Sequence, residues 1–173
     1  MGATHLLFHY QGRGRPIGGG GIVCTLTDSI DGVLVAGNLF THAADFLGEI
    51  TVTDNGTLNA TRIMFRRQDD ANCWMILIDA NGNTALYELT TVGGAVLRVN
   101  GGAQAVDGSR FVWVADGETI TGYVDDVQTW TYGSAVNFQT LAAGKVSTIA
   151  TNATIQDLKI WPRNCPSADI AKW

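Results

Sequence analysis

The 173-residue chain has few cysteines and few charged residues, and it lacks long apolar runs. Its three cysteines, Cys24, Cys73 and Cys165, are odd in number and form no Cys-x-x-Cys pair. The sequence therefore predicts neither a disulfide framework nor a metal site, and we expect no cofactor. No apolar run approaches the ~20 residues that cross a bilayer, and the first residues do not resemble a signal peptide. We expect synthesis in a cytoplasm and no membrane partner.

Positive charge is also scarce. The chain has 11 Lys and Arg against 16 Asp and Glu, a formal net charge of -5 and a pI of about 4.9. Such a surface repels phosphate backbones, so nucleic acid is not an expected partner. What the chain does have is 46% hydrophobic residues and 21 glycines, which favour short strands joined by tight turns. We expect one all-β domain.

Glycine divides the chain into three predicted parts. Residues 1–21 end in four consecutive glycines and are predicted to be a flexible arm or linker that carries Arg13 and Arg15. Residues 22–161 form the predicted β-domain, and residues 162–173 are a C-terminal tail.

Alternation of apolar and polar residues predicts about a dozen short strands in the central part. Segments 33–37 and 137–142 are among them. Segment 72–79 is apolar on both faces, which indicates a central strand with packing on each side. Within segment 111–130, Asp125-Asp126 is predicted to form a turn, and Gly122 interrupts a strand. A glycine in that position often marks a bulge or a close backbone approach.

The order of these segments carries a resemblance to a known fold. RIMFRRQDDANCWMILIDANGNTALYEL, then RFVWVADGETITGYVDDVQTW and a closing ATIQDLKIW resemble the concanavalin A-like lectin/glucanase, or laminin-G-like, jelly-roll domain. The upstream DSIDGVLVAGNLFTHAADFLGEITV is similar to the lead-in found before such domains in bacteriophage virion proteins. The resemblance covers about residues 22–161 and implies an antiparallel two-sheet jelly-roll sandwich.

Glycosidase activity is the first function that this resemblance raises. Retaining glucanases of this fold carry two Glu and an intervening Asp on one strand, with carboxyl groups about 5 Å apart. No acidic residue here reproduces that Glu-x-Asp-x-x-Glu spacing; the candidates are Glu49, Asp54, Glu88, Glu118, Asp125 and Asp126. We therefore predict no catalytic residues and no enzyme.

Sugar binding without chemistry is the second function. It needs exposed aromatic rings, because the flat C–H faces of sugars pack against them. Most aromatic residues here alternate in register with the core, and Tyr123 and Trp130 are the best candidates for a glycan platform. Aspartate and asparagine side chains in the turns 68–72 and 79–83 could assist with calcium, but turn chemistry alone explains them.

A structural role in a virus particle is the third function and the main prediction from the sequence. A catalytically blank sandwich with a basic arm and no export signal is typical of a phage capsid decoration (cement) protein or a small tail component. Residues 4–17 are the predicted docking arm, through Leu6, Leu7, Phe8, Tyr10, Arg13 and Arg15. A merely solvated terminus explains the two arginines equally well. The expected partners are copies of the chain, as a homo-oligomer with a trimer favoured, and other virion proteins such as the major capsid protein. The expected location is the virion, and the alternative function is a lectin-like carbohydrate-binding module.

Overall fold

Strands make up all of the regular structure in the described part of the chain. The structure is a computed structural model and describes residues 25–53, 61–79, 81–148 and 155–163. Within these ranges the strands are β1 (Asp28–Val33), β2 (Leu39–Thr41), β3 (Phe46–Val52), β4 (Thr61–Asp69), β5 (Asn72–Ile78), β6 (Asn83–Thr90), β7 (Gly94–Gln104), β8 (Arg110–Asp116), β9 (Thr119–Val124), β10 (Val127–Tyr132), β11 (Ala143–Thr148) and β12 (Ile155–Pro162). The predicted all-β class is confirmed.

Two six-stranded antiparallel sheets pack face to face. Sheet A has the order β1-β12-β3-β8-β9-β10, and sheet B has the order β2-β11-β4-β5-β6-β7. Side chains alternate between the two sides of a strand, so each sheet turns one apolar row per strand toward the other sheet. Ile50 and Trp113 from sheet A and Ile63 and Trp74 from sheet B all lie in this one core with no exposed surface. The predicted two-sheet antiparallel sandwich is therefore confirmed.

A β-bulge and a glycine place Trp130 inside this core. The pairing of β10 with β9 shifts between Gln128 and Trp130, so that Trp130 stands opposite Gly122. A side chain at Gly122 would overlap the indole of Trp130. The prediction that Gly122 marks a bulge or a close approach is confirmed, since both occur there.

Strand β5 is apolar on both sides, as predicted. Trp74 and Ile76 point into the core between the sheets. Cys73 and Met75 point to the other side of sheet B, where they form a second, smaller apolar cluster with Met64. β5 therefore packs on both of its faces.

A buried polar joint connects the two sheets at the β2–β3 loop. Arg66 is fully buried, and its guanidinium donates to the backbone oxygens of Ala44 (3.0 Å) and Gly117 (2.9 Å) and to Asp45 Oδ1 (3.2 Å). Its backbone N–H donates to Nε2 of His42 at 3.0 Å. Buried polar groups are costly unless they are hydrogen-bonded, and here they are paired.

Two predicted strands are corrected by the structure. Segment 33–37 lies mostly in the turn that follows β1, whose strand ends at Val33. Segment 137–142 is a turn in which Leu141 N donates to the oxygen of Phe138, a residue with φ of 61°. The left-handed backbone at Phe138 is incompatible with a strand, although the sequence alternates there.

Candidate functional site

The predicted docking arm lies outside the described residues. This applies to all six of its residues, Leu6, Leu7, Phe8, Tyr10, Arg13 and Arg15. The docking arm, the homo-oligomer and the virion location therefore stay predictions of the sequence.

Trp130 is not an exposed platform, contrary to the prediction. Only 4% of this residue is exposed, because the bulge in β10 turns its side chain to the inner side of sheet A. Its indole Nε1 donates to Thr84 Oγ1 of sheet B at 3.1 Å. Simple alternation from Val127 places Trp130 outside, and the extra residue at the bulge reverses that assignment. A buried indole cannot stack on a sugar.

Tyr123 does point to the outer side of sheet A, where it is partly exposed. We call this outer side face A. The strand register places one row of side chains across it, in the order Lys159, Glu49, Val112, Tyr123 and Gln128. The row crosses five strands with a spacing of about 4.8 Å, so it extends about 20 Å. It has an aromatic ring, an amide and ionised groups on a single surface.

A second row runs parallel to the first on face A. It consists of Trp161, Leu47, Val114, Thr121 and Thr131 in register. The hydroxyls of Thr121 and Thr131 are hydrogen-bonded to each other at 3.1 Å. Trp161 is partly exposed. Face A therefore has a hydroxyl pair near Tyr123 and a second partly exposed aromatic residue three strands away, on β12.

An ion-pair network lies beside Tyr123. Arg110 Nε donates to Glu49 Oε2 at 2.9 Å, and Lys159 Nζ contacts Glu49 Oε1 at 3.2 Å. The guanidinium of Arg110 also pairs with Asp126. Asp125 accepts from the backbone N–H of Arg110 at 2.9 Å and from the Ser109 hydroxyl at 3.0 Å. These contacts hold the polar groups of face A in fixed positions.

The β9–β10 turn supplies two of these carboxylates. Asp125 and Asp126 have φ of 48° and 67°, the left-handed pair that a type I′ hairpin turn requires. The predicted turn at these residues is confirmed. The sequence predicted the turn but not the network, because nothing local shows that Arg110, Glu49 and Lys159 meet across three strands.

The outer side of sheet B, which we call face B, differs from face A. Its central row consists of Leu39, Lys145, Met64, Met75, Tyr87 and Leu97 in register. Met64 and Met75 are each 5% exposed, and Cys73 is fully buried beside them. Burial raises the pKa of the Cys73 thiol to about 12, so the thiol is protonated and inert at neutral pH. At the rim, hydrogen bonds from Lys145 and Arg67 hold the pKa of Asp70 below its ordinary value.

The two glutamates buried in the described residues are both held by cations. Glu49 pairs with Arg110 and Lys159. Glu88 lies on the inner side of sheet B, where it pairs with Arg98 and accepts from the Asn137 amide. Both carboxylates act as partners in fixed ion pairs.

Turn hydrogen bonds occupy the aspartates that calcium binding would have needed. Asp69 accepts from the Asn72 amide and from the backbone of Ala71, and Asp79 accepts from Asn81 and Asn83. Among the described residues no group of three or more His, Cys, Asp or Glu side chains could hold a metal ion. The same residues include no helix long and apolar enough to cross a membrane.

Two solved carbohydrate-binding modules and a galectin have a similar fold. The carbohydrate-binding module CBM66 from Bacillus subtilis has a TM-score of 0.51 at 15% identity, over 80% of this chain and 92% of that one. CBM40 of the Ruminococcus gnavus IT-sialidase, solved bound to α2,6-sialyllactose, has a TM-score of 0.61 at 10% identity, over 85% of this chain and 98% of that one. The Caenorhabditis elegans galectin LEC-6 has a TM-score of 0.57 at 9% identity, over 81% of this chain and 99% of that one.

At such low identities these likenesses show the fold alone, which is the lectin-like jelly-roll sandwich that the sequence resemblance implied. None of these three domains is described as a virion protein, so they lend no support to the bacteriophage context. No protein-family model matches the chain. No curated protein sequence matches it either.

Proposed function

We propose that the protein is a non-enzymatic carbohydrate-binding domain that holds glycans on face A. The observation that carries the proposal is the partly exposed Tyr123 ring, with Gln128 beside it on the next strand and the Thr121–Thr131 hydroxyl pair in the neighbouring row. The fold likeness to two carbohydrate-binding modules and a galectin supports it. This is the alternative function that the sequence predicted. Of its two platform residues Tyr123 is kept, whereas the buried Trp130 is not part of the proposed site, and the polar side chains around Tyr123 take its place.

The mechanism follows from the chemistry of the surface. The apolar C–H face of a sugar ring packs on Tyr123, while the ring hydroxyls exchange hydrogen bonds with the Gln128 amide and the Thr131 hydroxyl. Glycan sites gain affinity when their polar groups are already in place before binding. Here the Arg110–Glu49–Lys159 ion pairs fix one side of the surface, and the type I′ turn fixes another.

Two substitutions of Tyr123 test the proposal. Tyr123→Ala is expected to weaken binding of the best ligand found on a glycan array about ten-fold or more, or ~1.4 kcal/mol. Tyr123→Phe keeps the ring and is expected to keep most of the affinity. Isothermal titration with the purified full chain measures both.

The matched control is Tyr87→Ala, which removes a partly buried tyrosine from face B. It should leave glycan affinity within about two-fold of the unaltered protein. If Tyr87→Ala abolished binding while Tyr123→Ala did not, face B would be the glycan site and the assignment to face A would be wrong.

A further inference from the structure

We infer that face A selects uncharged glycans and discriminates against those that carry a carboxylate or a sulfate, an inference that rests on the proposed function. It concerns the chemical class of the ligand. The network formed by Arg110, Lys159, Glu49, Asp125 and Asp126 carries it.

The charge balance of the network disfavours an acidic ligand. The five groups comprise three carboxylates and two cations, so the network carries one net negative charge. Both cations are already paired: Arg110 contacts Glu49 and Asp126, and Lys159 contacts Glu49. An acidic sugar would find no unpaired cation in this network.

Competition for Arg110 also disfavours an acidic ligand. The side chain of Arg110 is 19% exposed and that of Glu49 is 12% exposed. A sugar carboxylate that took over Arg110 would leave Glu49 or Asp126 without its cation in a partly desolvated place. An unpaired charge in such a place is strongly unfavourable. The anion would also lie close to three like charges, and repulsion of this kind is how sites reject a wrong partner.

Uncharged sugars meet the opposite situation. The Asp126 side chain is 40% exposed and contacts Arg110 through Oδ1, which leaves part of the carboxylate turned to solvent. Sugar hydroxyls donate to carboxylate oxygens in short, charge-assisted hydrogen bonds without adding charge. Asp125 follows the end of β9, two residues after Tyr123 in the chain, so a ring stacked on Tyr123 has this turn beside it.

Matched glycan pairs test the inference. The best-bound neutral oligosaccharide is compared with the same compound bearing a terminal sialic acid, and a hexose oligosaccharide is compared with its uronic acid form. Titration of the full chain is expected to show at least ten-fold weaker binding of each acidic member. The double variant Glu49→Gln/Asp126→Asn keeps the shapes but changes the network charge from one negative to one positive. It is expected to reduce the discrimination to less than about three-fold.

The control is Asp70→Asn, which removes one carboxylate from the rim of face B. It should leave the ratio of neutral to acidic binding unchanged. The unaltered chain could instead bind the acidic and neutral members with equal affinity, with Tyr123→Ala still removing binding. That result would overturn the inference while the proposed function stood. If the chain bound no glycan at all, both would be overturned.

Discussion

The two outer faces of the sandwich are built on the same strand geometry and differ in chemistry. Face A carries Tyr123 among amides, hydroxyls and an ion-pair network that includes Glu49 and Arg110. Face B carries Met64, Met75 and a fully buried thiol, and its ion pairs in the described part of the chain are those of Asp70 with Arg67 and Lys145. The inner faces of a sandwich are mostly apolar because they form its core, whereas outer faces are free to differ. The proposed glycan site makes use of this difference between the outer faces.

The contrast also separates stability from recognition. Apolar side chains that are deeply buried stabilise a fold strongly, whereas ion pairs near the surface contribute little. Face B belongs to the first kind and face A largely to the second. We therefore expect substitutions on face B to lower stability, and substitutions on face A to change binding with little loss of stability.

The largest effect on stability is expected at Met75. Met75→Ala should lower the free energy of unfolding by about 2–3 kcal/mol, because a buried methionine loses its packing and leaves a cavity. Glu49→Gln on face A should cost less, about 1 kcal/mol, because Arg110 keeps its contact with Asp126 and the Lys159 side chain is 43% exposed. Urea unfolding followed by tryptophan fluorescence measures both. Equal losses in the two variants would show that the apolar cluster on face B contributes no more to stability than the ion pairs on face A.

A smaller effect is expected at the joint that both sheets share, and acid reveals it. His42 Nδ1 donates to the oxygen of Ala43 at 2.7 Å, and its Nε2 accepts from the backbone N–H of Arg66, so the ring is neutral. Burial lowers the pKa of His42 below its ordinary value of 6.5. The unfolded chain therefore binds the proton more readily, and stability should fall as the pH drops below about 6.5.

Thermal unfolding between pH 7.5 and 5 checks this, with His42→Gln as the comparison. The variant should be less stable at pH 7.5 and should show a shallower loss of stability toward pH 5. An unchanged pH slope in the variant would assign the acid sensitivity to other groups. Because the joint connects the two sheets, mild acid should weaken both faces together, unlike the substitutions above.

The sequence predicted the inner architecture well and the outer surface poorly, for a physical reason. Alternation reports burial, so it identified the sandwich and the packing on both sides of β5. It does not report register between strands that are distant in the chain. The pairing of Lys159 with Glu49 joins positions 110 residues apart, and nothing local predicts it.

Trp130 shows the same limit at the scale of one residue. Alternation along β10 placed its ring outside, and a one-residue bulge placed it inside. The available clue was Gly122, since a glycine in a strand can make room for a large ring on the neighbouring strand. That clue was recognised as a bulge or a close approach, but the ring that would fill the space was not identified.

The smallest effect is expected in the reactivity of Cys73, and it tests whether face B stays closed. In a Cys24→Ser/Cys165→Ser variant, Cys73 is the one remaining thiol. It is fully buried with a pKa of about 12, so a thiol reagent at pH 8 should modify the native protein far more slowly than the same protein in urea. Leu89→Ala, which trims the partly buried neighbour opposite Cys73, should raise the native rate only slightly. Native labelling as fast as in urea would mean that the apolar cluster on face B opens readily. Face B would then not be the closely packed surface described above, while the description of face A would stand.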